Sequence, residues 1–162
     1  MKTPLERKFI RCGRAGVPLF FNDEFALLPY SYGRDVACIQ HAKSMIFKII
    51  HRTTRREAGE LALRIGDSRC MFYLGHIGYH IDPPYRGRSG AWQACCMCAP
   101  LLLDLGLRTV VITTDEDNLP SIRTCEKLGC VLESTVDVPR DVQIEYEISH
   151  RKRRYIWFVS DQ

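Results

Sequence analysis

Residues 78–91 read Gly-Tyr-His-Ile-Asp-Pro-Pro-Tyr-Arg-Gly-Arg-Ser-Gly-Ala, and this stretch connects a predicted strand to a predicted helix. The strand is expected to end at Asp82-Pro83-Pro84, and a helix is expected from about Ser89 to Leu105. Unpaired N–H groups and the positive end of the helix dipole make such a helix start a cradle for an anion. The loop supplies two glycines that leave room for a phosphate and two arginines that add charge: Arg86, Gly87, Arg88 and Gly90. The local pattern alone fits a capped helix beside a flexible loop equally well.

The spacing of this loop excludes two common nucleotide-binding patterns. It does not read Gly-x-Gly-x-x-Gly, the pattern of dinucleotide-binding folds, and no Gly-Lys-Ser/Thr follows it. A dinucleotide-binding fold and a nucleotide triphosphatase are therefore both disfavoured.

Hydrophobic periodicity on either side of this loop predicts further strands and helices. Strands are expected at Met45–Ile50, Gly59–Ile65, Tyr73–Ile81, Arg108–Thr114, Cys130–Val136, Ile144–Ile148 and Tyr155–Val159. Helices are expected at Asp35–Lys43, at Ser89–Leu105 with a kink at Pro100, and at Asp117–Gly129. This order of elements predicts a single-domain α/β fold with a mixed sheet. The basic run Arg151–Arg154 is interpreted as a solvated hairpin tip, with a patch for an acidic substrate or RNA as the alternative.

Composition and charge limit the classes of protein that fit. The chain has 162 residues, 46% of them apolar and 26% charged, which excludes a disordered or fibrous protein. The net charge is +4, and the first half carries it: residues 1–81 have 13 basic and 7 acidic side chains, against 10 and 12 in residues 82–162. A basic half can attract a phosphate-rich cofactor or a nucleic acid.

The sequence also predicts the compartment and the state of the cysteines. The charged N-terminus does not resemble a signal peptide, and no apolar stretch is long enough to span a membrane. The eight cysteines are interpreted as reduced thiols that pack as small apolar groups, which indicates the cytoplasm. No histidine lies at ligand spacing from a cysteine pair, so no metal site is expected.

Two segments resemble signatures of a known family. Residues 75–79 (Gly-His-Ile-Gly-Tyr) and 83–91 resemble the acetyl-CoA-binding segment of the GNAT (Gcn5-related) N-acetyltransferases. Residues 117–130 (Asp-Asn-Leu-Pro-Ser-Ile-Arg-Thr-Cys-Glu-Lys-Leu-Gly-Cys) resemble the second signature of that family. The resemblance covers roughly residues 44–159 and is closest to the branch that includes ribosomal-protein acetyltransferases. It implies a short, partly irregular N-terminal region at residues 1–43 and an acetyltransferase domain at residues 44–162.

The resemblance implies a reaction and a set of binding residues. Acetyl-CoA would be the co-substrate, and its acetyl group would pass directly to an amine of a small molecule or peptide. The strands at Tyr73–Ile81 and Arg108–Thr114 would splay apart and hold the thioester in the gap. Contacts with acetyl-CoA are expected from Ile81, Asp82, Arg86, Gly87, Arg88, Ser89, Gly90, Ala91, Asn118 and Ser121. A homodimer is a further implication, because the closing strands of this fold often pair subunits.

Three residues are candidates for proton transfer. Strand alternation places His76 and His80 on one face, and an unperturbed imidazole has a pKa near 6.5, which suits a general base. The alternative is that His76 is a hydrogen-bonded core residue and His80 packs beside the co-substrate. Cys125 stands where many members of the family have a tyrosine acid, so it is either a proton donor to the departing thiolate or a small apolar filler.

Departures from the family pattern keep other functions open. Ser89 stands where the family loop has its first glycine, Cys125 replaces the tyrosine, and only 43 residues precede Ser44. These features favour a catalytically silent member of the fold that binds CoA or a partner protein. A small RNA-associated protein is a third interpretation, although nucleic acid is disfavoured because the aromatic residues near the basic run alternate on one face of a closing strand.

Overall fold

The computed structural model describes residues 1–33 and 42–160. Its strands are β1 (Phe20–Phe21), β2 (Phe25–Gly33), β3 (Lys43–His51), β4 (Arg56–Ile65), β5 (Ile77–Ile81), β6 (Thr109–Asp115), β7 (Val131–Asp137) and β8 (Arg151–Phe158). Its α-helices within these residues are α1 (Pro4–Ala15), α2 (Arg69–Leu74), α3 (Gly90–Asp104), α4 (Leu119–Lys127) and α5 (Arg140–Tyr146). The strands form one sheet in the order β1-β2-β3-β4-β5-β6-β8-β7, and only β5 and β6 pair in parallel. The predicted α/β fold with a mixed sheet is therefore confirmed.

Three helices cover one face of this sheet and form the main core with it. Helix α3 contacts α1, α4 and several strands, and the buried side chains between them include Phe47, Leu61 and Trp157. Helix α2 belongs to a second, smaller apolar cluster, where Met71 packs with Ala42. Helix α3 continues across Pro100 as one element. All seven cysteines in the described ranges are free thiols.

The predicted strand at Tyr73–Ile81 is wrong in its first half. Residues Arg69–Leu74 form α2, which begins where the Ser68 side chain accepts a hydrogen bond from the N–H of Met71. Gly75 ends the helix with a φ of 73°, and a Cβ there would lie 2.7 Å from the Val111 carbonyl oxygen. The chain therefore turns at Gly75, and the strand starts only at Ile77.

The prediction for the C-terminal segment is wrong in two places. Residues 144–148 are not a strand, because α5 runs to Tyr146 and the chain turns after it. The basic run Arg151–Arg154 is not a hairpin tip, because it lies within β8, between β6 and β7. Acidic side chains of both neighbouring strands pair with it: Lys152 bonds to Asp115 at 2.6 Å and Arg154 to Glu133 at 2.6 Å. Paired in this way, Lys152 and Arg154 are largely shielded from solvent, whereas Arg151 at the start of β8 is exposed.

The described residues before position 34 contain regular elements. Thr3 and Glu6 form a capping box that starts α1, and β2 pairs antiparallel with β3 along its length. The predicted helix at Asp35–Lys43 lies mostly outside the described residues, and its last residue, Lys43, begins β3. The domain boundary between residues 43 and 44 stays a prediction.

Candidate active site

A cleft opens where the two parallel strands at the centre of the sheet part. The N–H of His76 donates to the Val111 carbonyl at 2.8 Å, and Ile77 pairs with Ile112, but the ladder between β5 and β6 ends there. A cavity of about 210 Å³ follows. Its lining residues come from α2, β4, β5, β6, the start of α4 and the C-terminal segment: Arg64, Leu74, Ile77, Gly78, Tyr79, Ile112, Thr113, Thr114, Asp115, Asn118, Ser121, Ile148 and Lys152.

The cleft has two unlike walls, one on each face of the sheet. The hydroxyl wall, on the face of α4, consists of Tyr79 and Ser121. The charged wall consists of Arg64, Asp115 and Lys152. A Cβ on Gly78 would point at the Arg64 guanidinium, and neighbouring residues of a strand face opposite ways, so Arg64 and Tyr79 lie on opposite faces.

The edge of β5 beside the cleft offers unpaired backbone groups. The N–H of Arg64 donates to the His76 carbonyl at 2.7 Å, and the N–H of Asp82 donates to the Ala58 carbonyl at 2.8 Å. Because bonding direction alternates along a strand, the backbone groups of Tyr79 and Ile81 point the other way, into the cleft. The Ile81 carbonyl already accepts a hydrogen bond from Arg86 Nε at 2.8 Å.

The loop before α3 lies at the position predicted for the anion cradle, and its two glycines have different surroundings. Gly87 has a φ of 81° and open space where a Cβ would lie. A Cβ on Gly90 would instead lie 3.2 Å from Ile81 Cδ1 and 3.4 Å from Phe25 Cζ. Gly90 therefore allows close packing of α3 on the sheet, whereas Gly87 leaves the loop surface open. The first-turn N–H groups of α3, including that of Ala91, have no partner within the helix.

Ser89 adopts a left-handed conformation at the start of α3, with a φ of 55°. Its hydroxyl accepts a hydrogen bond from Lys127 Nζ at 3.0 Å, and that ammonium also lies 4.1 Å from the centre of the Trp92 ring. Arg88 pairs with Glu24 at 3.1 Å. Lys127 is thus a third cation beside the cradle. The motif at residues 117–130 contains it, but spacing alone did not show that it lies next to Ser89.

Tyr79 is a functional candidate that sequence reasoning missed. Its hydroxyl lies 3.0 Å from Ser121 Oγ and 4.0 Å from Cys125 Sγ. Burial raises the pKa of Tyr79, so the phenol keeps its proton at neutral pH. A tyrosine hydroxyl therefore lies beside Cys125, where the family pattern had suggested that the tyrosine was lost. Alternation along β5, with Ile77 and Ile81 facing the core, was the available signal.

The two candidate histidines do not line the cavity. His76 Nδ1 accepts a hydrogen bond from the N–H of Val111 at 3.0 Å, and burial followed by the charge of Arg154 lowers the pKa of this imidazole. His76 therefore joins β5 to β6 in its neutral form. The His80 side chain is 61% exposed and lies 3.6 Å from Asp82. Cys125 is fully buried. A hydrogen bond with Cys130 lowers the pKa of the Cys125 thiol, although burial alone would raise it.

Asn118 and Asp115 lie where β6 leads into α4. Asn118 caps α4, its side-chain oxygen accepting from the N–H of Ser121 at 3.2 Å. Asp115 Oδ1 accepts hydrogen bonds from Lys152 and Ser149, both at 2.6 Å. Burial alone would raise the pKa of Asp115, but these bonds and the lysine charge outweigh burial and lower it. Asp115 is therefore ionised at neutral pH.

Comparison with known proteins identifies the family. The model of the acetyltransferase (GNAT) domain family matches residues 30–131. The chain belongs to the GNAT acetyltransferase family. The resemblance predicted from the two sequence signatures is therefore confirmed. A search of curated protein sequences gave no match.

Solved structures with the same fold include several acetyltransferases. The microcin C7 self-immunity acetyltransferase MccE, in complex with acetyl-CoA and AMP, is 21% identical, with a TM-score of 0.56 over 72% of this chain and 61% of that one. The ribosomal-protein-S5-alanine acetyltransferase from Vibrio fischeri is 17% identical, with a TM-score of 0.57 over 73% and 63%. An acetyltransferase from Salmonella typhimurium that modifies the N-terminal serine of ribosomal protein L7/L12 is 21% identical, with a TM-score of 0.55 over 72% and 64%. The chain thus spans less than two thirds of the length of these three proteins.

Within residues 1–33 and 42–160, no group of three or more histidine, cysteine, aspartate or glutamate side chains is arranged to hold a metal ion. In the same ranges, no helix has both the length and the apolar character needed to cross a membrane.

Proposed function

We propose that this protein transfers the acetyl group of acetyl-CoA directly to an amine. The observation that carries the proposal is the cleft where β5 and β6 part, directly before the loop that starts α3. A thioester can enter this gap while the phosphates of the same molecule lie at the helix N-terminus. Membership in the GNAT family supports this assignment.

The residues at the cradle fit the acidic part of acetyl-CoA. Positive charge, open loop surface and unpaired N–H groups meet at one helix start, and the groups we assign to this role are Arg86, Gly87, Arg88, Ser89, Gly90, Ala91 and Lys127. The open edge of β5 at Tyr79 and Ile81 suits the amide groups of the pantetheine arm, which need hydrogen-bond partners along an extended path. Asp82 directly follows β5 and Asn118 lines the cavity, and their contact with the co-substrate stays a prediction.

The hydroxyl wall suits the sulfur that leaves. The amine nitrogen attacks the thioester carbonyl, the C–S bond breaks, and CoA departs as a thiolate that takes a proton from water. Tyr79 has its pKa raised by burial, and a thiol has a pKa near 8.5, so the phenol stabilises the thiolate as a hydrogen-bond donor and keeps its own proton. Ser121 orients that phenol at 3.0 Å.

The charged wall suits the amine. An acceptor arrives at neutral pH as an ammonium ion, and Asp115 is the carboxylate among the lining residues. Its low pKa makes it a weak base, so it attracts and orients the ammonium while the proton leaves to water at the mouth of the cleft. The general base predicted at His76 or His80 stays a prediction.

Calorimetric titration with acetyl-CoA and with dephospho-CoA tests the first half of the proposal. We expect micromolar binding of acetyl-CoA and weaker binding without the 3′-phosphate, because the cradle is cationic. Release of free thiol in the presence of a panel of amines then tests transfer.

The alternative function is a catalytically silent module that binds CoA or a partner protein. Ser89 favours it, because its hydroxymethyl group occupies the start of α3. Binding of acetyl-CoA without thiol release for any amine supports this alternative, and the absence of binding contradicts both functions.

A further inference from the structure

Arg64 places a positive charge in the charged wall with no carboxylate beside it. Its guanidinium is largely buried, and burial lowers its pKa, although an arginine remains protonated in proteins. Nη1 reaches the carbonyls of Leu74 and Gly75 only at 3.3 and 3.5 Å, and Nε is buried without a partner. Within residues 1–33 and 42–160, no carboxylate forms an ion pair with it.

Gly78 creates the space that this guanidinium occupies. A Cβ on Gly78 would lie 2.7 Å from Arg64 Nη2 and 3.1 Å from Nη1. Any larger residue at position 78 would push the end of the arginine away. The glycine therefore lets the charge of β4 lie against β5 at the lining of the cavity.

The other charges of this wall cancel each other, which leaves Arg64 as the uncompensated one. Lys152 and Asp115 form an ion pair at 2.6 Å. Nε of Arg64 on this wall also lacks a hydrogen-bond partner among the described residues. The wall thus combines one net positive charge with unfilled hydrogen-bonding capacity, and an anion of the ligand would satisfy both.

The cavity, of about 210 Å³, has room for an amino-acid-sized group. Lys152 and Ser149 both bond to Oδ1 of Asp115, so within residues 1–33 and 42–160 Oδ2 has no partner and suits an ammonium. Arg64 suits a carboxylate.

We propose that the acceptor is an amine that carries a carboxylate, with the carboxylate bound by Arg64 and the ammonium by Asp115. This inference rests on the proposed acetyl transfer. Two sources share this chemistry: a free amino acid, and a peptide whose N-terminal residue has an acidic side chain. In either case the net reaction joins the acetyl group to the amine nitrogen and releases CoA as a thiol.

Acceptors that carry or lack the carboxylate give the direct test. L-amino acids are compared with their α-carboxamides, and tetrapeptides beginning with Asp or Glu with those beginning with Asn or Gln. Because a carboxamide lowers the pKa of the neighbouring amine, kcat/KM is expressed per fraction of neutral amine. We expect this value for acids to exceed that for the matched amides by about 10- to 100-fold, the range expected for a charge-assisted hydrogen bond. A preference among the amino acids identifies a free amino acid as the acceptor, and a preference among the tetrapeptides identifies a peptide with an acidic N-terminal residue.

Variants separate recognition of the carboxylate from a structural role of Arg64 at the end of α2. Arg64→Gln removes the charge, and Gly78→Ala moves the guanidinium without removing it. Both are expected to bring the acid-to-amide ratio close to one. Arg56→Gln, which removes an exposed charge on the same strand, is the matched control and leaves the ratio unchanged. Thermal unfolding of each variant shows whether it folds. If Arg64→Gln does not fold, the acid-to-amide ratio of Gly78→Ala decides whether Arg64 recognises the carboxylate.

Calorimetric binding of the acids and amides in the presence of CoA distinguishes this inference from the proposed function. Preference for acids in binding, lost in Gly78→Ala, supports the carboxylate site even if no acetyl group is transferred. Acetyl transfer without any preference for acids overturns the inference and leaves the proposed function standing. Absence of both preference and transfer overturns both.

Discussion

The two walls of the cleft differ in charge and in the way their polar groups are held. On the hydroxyl wall, Tyr79 and Ser121 are neutral and bond to each other at 3.0 Å. On the charged wall, Asp115 and Lys152 form an ion pair and Arg64 has no acidic partner among the described residues. A neutral wall suits a sulfur that becomes charged only during reaction, whereas a charged wall suits an acceptor that is charged on arrival. The contrast shows how one gap between strands can serve two unlike reactants.

Removing the phenol from the hydroxyl wall should have the largest effect. Tyr79→Phe is expected to lower kcat by about 100-fold and to leave the affinity for acetyl-CoA nearly unchanged, because the lost hydrogen bond forms only as the thiolate develops. Steady-state kinetics and calorimetry measure the two quantities. Tyr30→Phe, at a residue that is 66% exposed, is the control and should behave like the wild type. A kcat for Tyr79→Phe close to that of the control would contradict this role.

Removing the side-chain hydrogen bond that joins β5 to β6 beside the cleft should destabilise the fold. His76→Ala leaves the N–H of Val111 without its acceptor, so we expect a loss of about 2 kcal/mol in the free energy of unfolding, measured with urea. His80→Ala, at an exposed side chain, should change it by less than about 0.5 kcal/mol. Equal losses in both variants would contradict the structural difference between the two histidines.

The pH dependence of stability gives a second test of His76. Burial and the charge of Arg154 lower the pKa of the folded imidazole, so below about pH 6.5 the unfolded chain takes up a proton that the folded chain resists. Wild-type stability should therefore fall as the pH drops from 7 to 5. The His76→Ala variant lacks this contribution, and the gap between the two proteins should narrow. A gap that stays constant would show that His76 titrates normally.

Neutralising the carboxylate of the charged wall should have a smaller effect on turnover. Asp115→Asn is expected to lower kcat/KM for the amine by about tenfold, the loss of one charge-assisted interaction at a partly exposed site. Because the pKa of Asp115 is lowered, the carboxylate stays ionised at neutral pH, and the ratio of wild type to variant should be constant between pH 6 and 8. Asp117→Asn, at an exposed residue outside the lining, is the control. A ratio that changes with pH in this range would mean that Asp115 titrates near neutrality.

A change at Ser89, in the loop before α3 and outside both walls, should have the smallest effect on stability and on binding of acetyl-CoA. Ser89→Gly removes a side chain from a residue with a φ of 55°, so we expect the unfolding free energy to rise by about 0.5–1 kcal/mol and acetyl-CoA to bind more tightly. Gly87→Ser, at a φ of 81°, is the reverse change and should destabilise by a similar amount. Unchanged or weaker binding of acetyl-CoA by Ser89→Gly would show that the hydroxymethyl group does not crowd the phosphates.

The elements with strong local signals were predictable from sequence. The helix after the loop at residues 85–88, the β-branched strand at Thr109–Asp115 and the helix capped by Asn118 all lie close to their predicted positions. Each has a cap, a stop residue or a periodic apolar face within its own sequence. The two family signatures lie on these elements, which is why the family could be predicted as well.

The parts that depend on distant partners were not predictable. The basic run at Arg151–Arg154 resembles a solvated turn until Asp115 and Glu133 of the neighbouring strands pair with it. The sequence leaves His76 either a catalytic base or a hydrogen-bonded core residue, and its bond from the N–H of Val111 joins residues 35 positions apart. Tyr79 and Arg64 become site residues only because β5 and β6 part beyond Ile77. Periodicity along one strand contains no information about where a neighbouring strand diverges.

A crystal structure of the complex with acetyl-CoA tests the assignment of the cleft to acetyl transfer. We expect the pantetheine arm to follow the open edge of β5 and the thioester sulfur to lie within hydrogen-bonding distance of the Tyr79 hydroxyl, between the two walls. A complex in which the acetyl group lies outside the cleft, away from both Tyr79 and Asp115, would contradict it.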